Sequence, residues 1–549
     1  MPGKRPIDRV LAGFEQSLAD SAELEVLRIL GLFDRPADAG CLGALRAKPP
    51  IPGLADRVAE SSDADWDRVL GHLERLRLIH VRHKDSRRPV VDAHPLLRER
   101  FAQQLREKDP DTWRAAHRRL YEHLCATTKE GDQPTLEAFQ PLYQAVAHGC
   151  QAGLQQEVCD KVYKHRILRG NDFFSSKKLG AMGSNVGAVA CFFELPWRRV
   201  SPSLKEADQA WLLNEAAFYL RALGRLTEAL EPMRVSGEMD AERKEWDGAA
   251  RSYSNLSELE LTLGLIEPTV VGAVKMAGAV GDGEQSVAYA DRSGGAFMRE
   301  VTRAVSADAL HQAGHRAEAG ACFRKAEAMQ AKDEPAYPLL YSLPGFSCCD
   351  LLLATSERAA WRHGLQLKTE NRELQTVLEA CRSVEQRVAQ TLKWVEAARM
   401  DILSIALDHL TLGRAALYAA ILEHSDFSHI DHAVAGLRRA GQQQYLPLGL
   451  LTRAWLRWVE GDADGARADL DEAWEIAERG PMRLFLANIH LYRARLFHAV
   501  TPYPWDKDEQ GKPRGPKDDL AAARKLIEQC GYHRRDEELA DAEEAAKSW

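Results

Sequence analysis

Several features that mark enzymes and membrane proteins are missing from this chain of 549 residues. It has no phosphate loop of the form GxxxxGKS/T, no HExxH zinc motif and no GxSxG nucleophile elbow. Its longest uninterrupted apolar run, near Val186–Phe193, is far shorter than the roughly 20 residues that a membrane-spanning helix needs. We therefore expect no catalytic residues, no metal site and no membrane insertion.

Spacings typical of disulfide frameworks and zinc fingers are also missing. The ten cysteines are scattered without a CxxC pair, which favours free thiols in a reducing cytoplasm. The net charge of −8 is mild for this length, so no general affinity for nucleic acid or anionic membranes is expected. Aromatic residues make up only 7% of the chain. Abundant Leu, Ala, Glu and Arg predict a soluble protein rich in helix.

What the sequence does contain is a recurring helical hairpin, clearest in Leu450–Gly480. Apolar residues three or four positions apart precede and follow a turn at Gly461, and small Ala466 lets the two helices approach closely. Related turns are predicted at Gly224, Gly264, Gly314 and Gly413, with another near Gly364. A hairpin of this kind buries its apolar faces only against neighbours. We therefore predict a tetratricopeptide-like α-solenoid over residues 206–549, with repeats longer than the usual length of about 34 residues.

The first hundred residues predict a different arrangement. Helices are expected at 21–33 and 64–80, the second one capped by Ser62-Asp63. Two short strands, Ile79–Val81 and Pro89–Val91, flank a polar hairpin tip, and a further helix begins at Pro95. We interpret residues 21–110 as a winged-helix domain with a small β-hairpin. Residues 111–205 are interpreted as a helical linker, and the fold class as mainly all-α.

A winged helix raises the possibility of a DNA-binding transcription regulator. The helix that would enter the major groove is the one after Ser62. Its acidic side chains slightly outnumber its basic ones, and such a net charge does not suit the phosphates of DNA. The hairpin tip alone is basic, with Arg82, Lys84, Arg87 and Arg88, and a solvated loop explains it equally well. DNA binding is therefore an alternative that we do not favour. Acid-rich strings near the C-terminus, such as Glu537–Glu538, are interpreted as solvated helix faces.

The residue with the most specific chemical prediction is His94, in the string VDAHPLLRERF (Val91–Phe101). It stands at the end of a strand and directly before a helix that begins with Pro95. Helix N-termini favour anions through their N–H groups and the helix dipole. A histidine at this position can donate a hydrogen bond to a phosphate oxygen. A capping or packing role is the other interpretation, and the residues alone leave both open.

The stretch from about Ala22 to Leu105, with LGLFDRPAD and DAHPLLRERF, resembles the winged-helix domain of bacterial STAND ATPases of the NB-ARC type. In that family a Met-His-Asp motif ends the domain, and its histidine contacts the β-phosphate of bound ADP. His94 is the matching position, with Ala93 in place of Met and Pro95 in place of Asp. The resemblance implies that His94 contacts ADP, but only when a nucleotide-binding domain is present.

Strings further along, such as NDFFSSKKLGA and ADQAWLLNEAAFYLRALGRLTEALEP, resemble the C-terminal repeat arm of the same family. The nucleotide-binding domain is absent from this chain, so no cofactor is expected in the chain itself. In the family the arm senses a trigger, often a protein, and the winged helix holds the ADP-bound resting state. Residues 1–20 would then be the tail of a preceding helical segment, in a C-terminal part or split product of such a protein.

The resemblance therefore implies a non-catalytic, cytoplasmic sensor whose partners are a protein ligand on the repeats and an ATPase or effector domain. Bacterial defence against phage is one setting in which such proteins act. A free-standing tetratricopeptide scaffold, whose winged helix is only a folding module, is the main alternative. The sequence names neither the trigger nor the residues of the repeats that bind it.

Overall fold

A computed structural model of the chain describes residues 6–84, 88–271, 274–367, 371–423, 430–507 and 511–549. The chain divides into two compact units, Met1–Asp172 and Phe173–Trp549, which we call the N-terminal and C-terminal units. The prediction of a mainly α-helical fold is confirmed. In the described part of the chain, β-structure consists of three two-stranded antiparallel sheets and isolated bridges. The division between the units falls inside the segment 111–205, which the sequence analysis treats as a linker.

The N-terminal unit contains eight α-helices and one hairpin in its described residues. They are α1 (Pro6–Ser17), α2 (Ala22–Leu30), α3 (Ala39–Arg46), α4 (Asp63–Arg75), β1 (Ile79–Lys84), β2 (Arg88–Ala93), α5 (Pro95–Lys108), α6 (Pro110–Thr127), α7 (Leu136–Gln151) and α8 (Gln155–Val158). A π-helical stretch, Cys159–Ile167, and a 3-10 turn, Gly170–Asp172, complete the unit.

Helix α4 begins where the sequence predicts and ends earlier. The Ser62 hydroxyl accepts the N–H of Asp65 at 3.2 Å, which satisfies one of the unpaired donors of the first turn. Trp66 and Leu70 on its apolar face are buried. The helix stops at Arg75 because Arg77 adopts a left-handed φ of 59°. Leu76, predicted on the buried face, is 36% exposed as a consequence.

The predicted hairpin is present as antiparallel β1 and β2, with Ile79 opposite Ala93 and Val81 opposite Val91. A third strand position joins it, because Ala37 and Val91 exchange backbone hydrogen bonds of 2.8 and 2.9 Å. This bridge was not predicted, because it involves a single residue between α2 and α3. Residues 85–87, and Arg87 of the basic tip with them, lie outside the described residues. The winged-helix interpretation of this arrangement remains a prediction.

The C-terminal unit is almost entirely helical. Its elements are α9 (Phe174–Lys177), α10 (Met182–Ala190), β3 (Phe193–Leu195), β4 (Arg199–Val200), α11 (Glu206–Ala222), α12 (Leu226–Glu242), α13 (Trp246–Leu263), β5 (Thr269–Val271), β6 (Val274–Met276), α14 (Gly278–Ser293), α15 (Ala296–Gln312), α16 (Arg316–Asp333), α17 (Ser342–Gly364), α18 (Asn371–Ala397), α19 (Ile402–Glu423), α20 (Ile430–Ala440), α21 (Leu446–Val459), α22 (Ala463–Arg479), α23 (Arg483–Phe497), α24 (Pro516–Cys530) and α25 (Asp536–Ala546). A 3-10 turn, His533–Arg535, separates the last two helices.

Consecutive helices of this unit pack in pairs, such as α11 with α12, α15 with α16 and α21 with α22. The odd-numbered helices from α11 to α23 also contact one another in series. They form an inner layer, which is the arrangement expected of stacked helical hairpins. The C-terminal end returns to this layer, because α25 contacts α17 and α23.

The hairpin Leu450–Gly480 is confirmed as α21 and α22. Gly461 forms the predicted turn in a left-handed conformation with φ of +85°, and the Ala466 side chain is fully buried. The Trp455 ring stacks on Trp361 with centroids 3.6 Å apart. These tryptophans therefore belong to the core of the unit.

The glycine pattern is wrong at one position and incomplete at another. Gly413 lies in the middle of α19, where a Cβ atom would come within 2.5 Å of the Ile430 side chain. The absence of a side chain at Gly413 allows α19 and α20 to pack closely. The series of turn glycines had predicted a turn at this position. Helix α18, of 27 residues, lies between two predicted repeats and was not predicted from the glycine pattern.

Helix α19 is, among the described residues, the one helix long and apolar enough to cross a membrane by length and composition. Of its most apolar window, 72% is buried inside the protein. Its contacts with α17, α18 and α20 account for that burial. A helix that packs on several neighbours in this way is typical of a protein core.

Candidate functional site

His94 is the N-cap residue of α5. Its Nδ1 accepts the N–H of Leu96 at 3.3 Å, and the side chain is exposed. Since Nδ1 is the acceptor, the neutral ring carries its proton on Nε2. The capping role, one of the two interpretations left open, is therefore present, and Nε2 remains available as a donor.

The first turn of α5 has no spare N–H group for an anion. Pro95 has no N–H, Leu96 donates to the His94 side chain, and Leu97 and Arg98 donate to the His94 carbonyl. The nearby Arg98 guanidinium is paired with Asp92 at 2.9 Å. The N-terminus of α5 therefore offers no free backbone N–H group to a phosphate. A phosphate at this position would depend on His94 Nε2.

The core of the N-terminal unit contains a pair of histidines that the sequence pattern did not indicate. His117 Nδ1 and His148 Nδ1 lie 2.8 Å apart, and both residues are buried. Burial lowers the pKa of His148 to about 4. Burial, followed by the neighbouring His148 and Arg106, also lowers the pKa of His117 well below its usual value. The pair is therefore neutral at physiological pH, with one ring donating to the other.

The inner layer of the C-terminal unit encloses a cavity of about 470 Å³. Its lining comes mainly from the odd-numbered helices α13 to α23 and from the turn before α25. Much of the wall is apolar, and it includes Val301, Val305, Leu340, Phe346 and Leu448. This volume lies within the range of small-ligand sites.

One side of the cavity is formed by a network of buried ion pairs. Arg414 lies 2.8 Å from Asp350, Arg534 lies 3.0 Å from Glu357, and Arg535 lies 3.1 Å from Glu357. The side chains of all five residues are at most 9% exposed. Charges at this depth are tolerated because each is paired and hydrogen-bonded. We call these five residues the arginine network.

The carboxylates of the network stay ionised. Burial alone would raise the pKa of Asp350, but the Arg534 and Arg414 guanidinium groups outweigh it and hold that pKa well below its usual range. The same balance, with Arg535 as the strongest neighbour, lowers the pKa of Glu357. The network also joins distant parts of the chain, since Arg534 bonds to residues 177 and 184 positions away.

One of the C-terminal acids was misassigned from the sequence, whereas its neighbour Glu537 is exposed as predicted. Glu538, interpreted as part of a solvated helix face, is 4% exposed. Its carboxylate lies 3.1 Å from Arg495 and also accepts a hydrogen bond from Arg535. Local charge composition does not reveal such partners, because Arg495 lies 43 positions earlier. The arginine pair Arg534–Arg535 next to an acidic string was the available signal.

The part of the cavity wall that α15 forms carries acids of a different kind. Glu300, Ala304, Asp308 and Gln312 recur every four residues and all line the cavity. Glu300 is 7% exposed, and no hydrogen bond or ion pair to its carboxylate is found within the described residues. Burial, reinforced by the nearby Asp333 and Glu334 carboxylates, raises the pKa of Glu300 to about 7.

Asp308 lies two turns further along α15. It accepts a hydrogen bond from the Gln312 amide at 2.7 Å and one from the Ser347 hydroxyl at 3.5 Å. Neither donor carries a charge. Burial therefore raises the pKa of Asp308 to about 6. Helix α15 thus presents two acids to the cavity that form no ion pair within the described residues, although Arg534 lies near enough to Asp308 to lower its pKa in part.

Comparisons with known proteins give a limited result. No family model matches the chain, and no curated protein matches it. Among solved structures, the chain is similar to a signal transduction ATPase with numerous domains (STAND) that has a tetratricopeptide repeat sensor, from Pyrococcus horikoshii. The identity is 13%, the match covers 88% of this chain and 68% of that one, and the TM-score is 0.27.

Proposed function

We propose that the chain is the non-catalytic sensor part of a STAND-type signalling protein. In this proposal the repeats of residues 206–549 bind a trigger, expected to be a protein. The winged-helix region, residues 21–110, controls a nucleotide-dependent switch. The cavity within the inner helical layer is the observation that carries the sensing role. Stacked helical repeats present extended concave surfaces. The cavity of this unit contains buried acids that form no ion pair within the described residues.

The nucleotide part of the proposal centres on His94. Its capping bond through Nδ1 fixes the ring, which leaves the exposed Nε2–H to donate to a phosphate oxygen. ADP would be held mainly by a separate nucleotide-binding domain, since this chain has no phosphate loop. The hydrogen bond from His94 to ADP would then exist only while the resting state is intact. Residue matches in VDAHPLLRERF support this role.

Retention of ADP tests the nucleotide part directly. The chain is mixed with a separately purified STAND ATPase domain from the same organism, and dissociation of fluorescent ADP is followed after dilution into unlabelled nucleotide. We expect the wild-type chain to slow release and His94→Ala to remove that effect, because a hydrogen bond to a charged group contributes about 1.5–3 kcal/mol. Release should then accelerate by about tenfold or more.

A matched control is His80→Ala, which removes another exposed histidine from the same hairpin. It should leave ADP release at the wild-type rate. Equal release from the wild type, His94→Ala and His80→Ala would remove the role assigned to His94. If the chain failed to slow release at all, the free-standing scaffold would become the better explanation.

A further inference from the structure

We infer that the cavity of the C-terminal unit binds a cationic ligand, an alkylammonium or guanidinium group on an apolar body, with Glu300 as the carboxylate that receives it. The inference extends the proposed sensing function by naming the chemistry of the ligand. A free aliphatic amine and the Lys or Arg side chain of a protein trigger share this chemistry.

The first support is that Glu300 is buried without an ion-pair partner within the described residues. Buried carboxylates are normally paired, because removing an isolated charge from water is costly. The C-terminal unit follows this rule at Asp350 and Glu357, and also at Asp469, which lies 2.7 Å from Arg453. Glu300 is buried to a similar degree and lines the cavity, yet no described residue pairs with it. A ligand cation would supply the missing partner.

The electrostatic balance of the lining decides the sign of the ligand. The arginines of the cavity wall are already engaged, since Arg221 lies 2.6 Å from Glu258 and the others belong to the arginine network. An anion would have to break these buried pairs. A cation meets Glu300, which has no ion-pair partner within the described residues, and Asp308, whose cationic neighbour Arg534 is already paired with Asp350 and Glu357. Lys177, exposed at the lining, is a single charge against these acids.

The walls near Glu300 suit an apolar body. Val301 and Ala304 lie within one turn of it on α15, and Tyr341 and Phe346 line the same cavity. Phe297, one turn before Glu300, lines the cavity while being 67% exposed. An aromatic ring beside a buried acid provides a second favourable contact for a cation, through its π face. Phe297 and Glu300 lie three positions apart, on the same face of α15, and offer an aromatic ring and a carboxylate to one ligand.

The dimensions also match. Glu300 and Gln312 are separated by twelve positions of one helix, or about 18 Å along its axis, and both line the cavity. A volume of about 470 Å³ holds a ligand the size of a few side chains. A short basic apolar segment or an extended polyamine fits these limits. A folded domain does not, so a protein trigger would insert only a side chain or a short loop.

Calorimetric titration of the full chain tests the inference with four probes. Spermidine represents the free amine, and acetyl-Leu-Arg-Leu-amide represents a protein side chain. Acetyl-Leu-citrulline-Leu-amide matches the arginine peptide in shape without its charge, and acetyl-Leu-Glu-Leu-amide reverses the charge. We expect at least one cationic probe to bind and both other peptides to bind at least tenfold more weakly. Spermidine binding alone would assign a free amine, and binding of the arginine peptide alone would assign a protein side chain.

The decisive variant is Glu300→Gln, which keeps the shape and removes the charge. It should weaken the cationic probe by tenfold or more, whereas Glu478→Gln, an exposed acid on α22, should leave binding unchanged. Thermal unfolding checks that both variants fold. Glu300→Gln should fold well, because it removes an unpaired buried charge. Asp308→Asn provides a second variant that should weaken binding.

Two results would overturn the inference. One is the absence of binding by either cationic probe at millimolar concentration. The other is binding that the uncharged peptide or Glu300→Gln reproduces at full strength. Neither result bears on ADP release through His94, which is measured with a different ligand and a different unit. Failure of the cation site and failure of the nucleotide switch are therefore distinguishable.

Discussion

The two units differ in the polar groups that they bury together. The N-terminal unit buries a pair of neutral histidines, His117 and His148, that share one hydrogen bond. The C-terminal unit buries the ion pairs of the arginine network and, along α15, acids with raised pKa values that form no ion pair within the described residues. A neutral pair can be buried in an apolar core at little cost in free energy. A buried charge requires an oppositely charged partner, either from elsewhere in the chain or from a ligand. The difference places the ligand-binding potential in the C-terminal unit.

The largest expected effect comes from removing one cation from the arginine network. Arg534→Met removes the cation that contacts both Asp350 and Glu357 and leaves two carboxylates partly uncompensated. Breaking a buried pair from one side costs about 3–5 kcal/mol. We expect the free energy of unfolding, measured by urea denaturation, to fall by that amount.

An exposed arginine in the same region provides the control. Arg524 pairs with Glu543 on the surface, and its side chain is 49% exposed. Arg524→Met should change the free energy of unfolding by less than about 1 kcal/mol. Equal losses from Arg534→Met and Arg524→Met would show that the network does not hold the end of the chain to the inner helices.

The network also shows the limit of prediction from this sequence. Helix starts such as Ser62 and turns such as Gly461 were predictable because a few neighbouring residues determine them. The partners of Glu538 were not, because Arg495 reaches it only after several helices have stacked. The middle of α19 shows the same limit, where Gly413 allows tight packing that a sequence pattern reads as a turn.

The candidate sites differ in the same way. His94 was predictable as a helix-capping residue because a strand and a Pro95 helix start surround it in sequence. Its Leu96 contact confirms the cap, and the contact with ADP remains a prediction. Glu300 gave no signal, because an acid among apolar residues on a helix is ordinary. Its significance depends on which groups the neighbouring helices bring close, and a single sequence does not contain that information.

A second effect, of intermediate size, concerns two acids that face each other between α13 and α14. Glu260 and Asp282 are both buried. Burial first, and the Asp282 carboxyl second, raise the pKa of Glu260 far above its usual value. The folded state therefore holds a proton that the unfolded state releases. Stability is greatest below the ordinary glutamate pKa of about 4.3 and falls as the pH rises from there toward the raised pKa.

Glu260→Gln should remove this dependence, because the amide stays neutral at every pH. We expect the variant to be more stable than the wild type at pH 8, because the wild type must take up a proton on folding, at a cost of up to about 1.4 kcal/mol per pH unit above the ordinary glutamate pKa. The gain should shrink toward pH 5. Urea denaturation at both pH values measures it, with exposed Glu242→Gln as the control. A gain that is equal at both pH values would contradict a proton held by Glu260.

The smallest expected effect tests the N-terminal side of the comparison. The pKa of His148 is lowered to about 4 by burial, so between about pH 6.5 and pH 4 the unfolded chain binds a proton that the folded unit excludes. Stability is therefore present above pH 6.5 and lost as the pH falls, by up to about 1.4 kcal/mol per pH unit for each such group. Hydrogen exchange of peptides from residues 110–151 should accelerate between pH 6.5 and 5.5, after correction for the intrinsic rate. His148→Asn, whose amide replaces Nδ1 without titrating, should reduce that acceleration, whereas His80→Ala should leave it unchanged. Protection that is independent of pH in the wild type would mean that the pair takes up a proton without opening, and the contrast between neutral and charged burial would then fail.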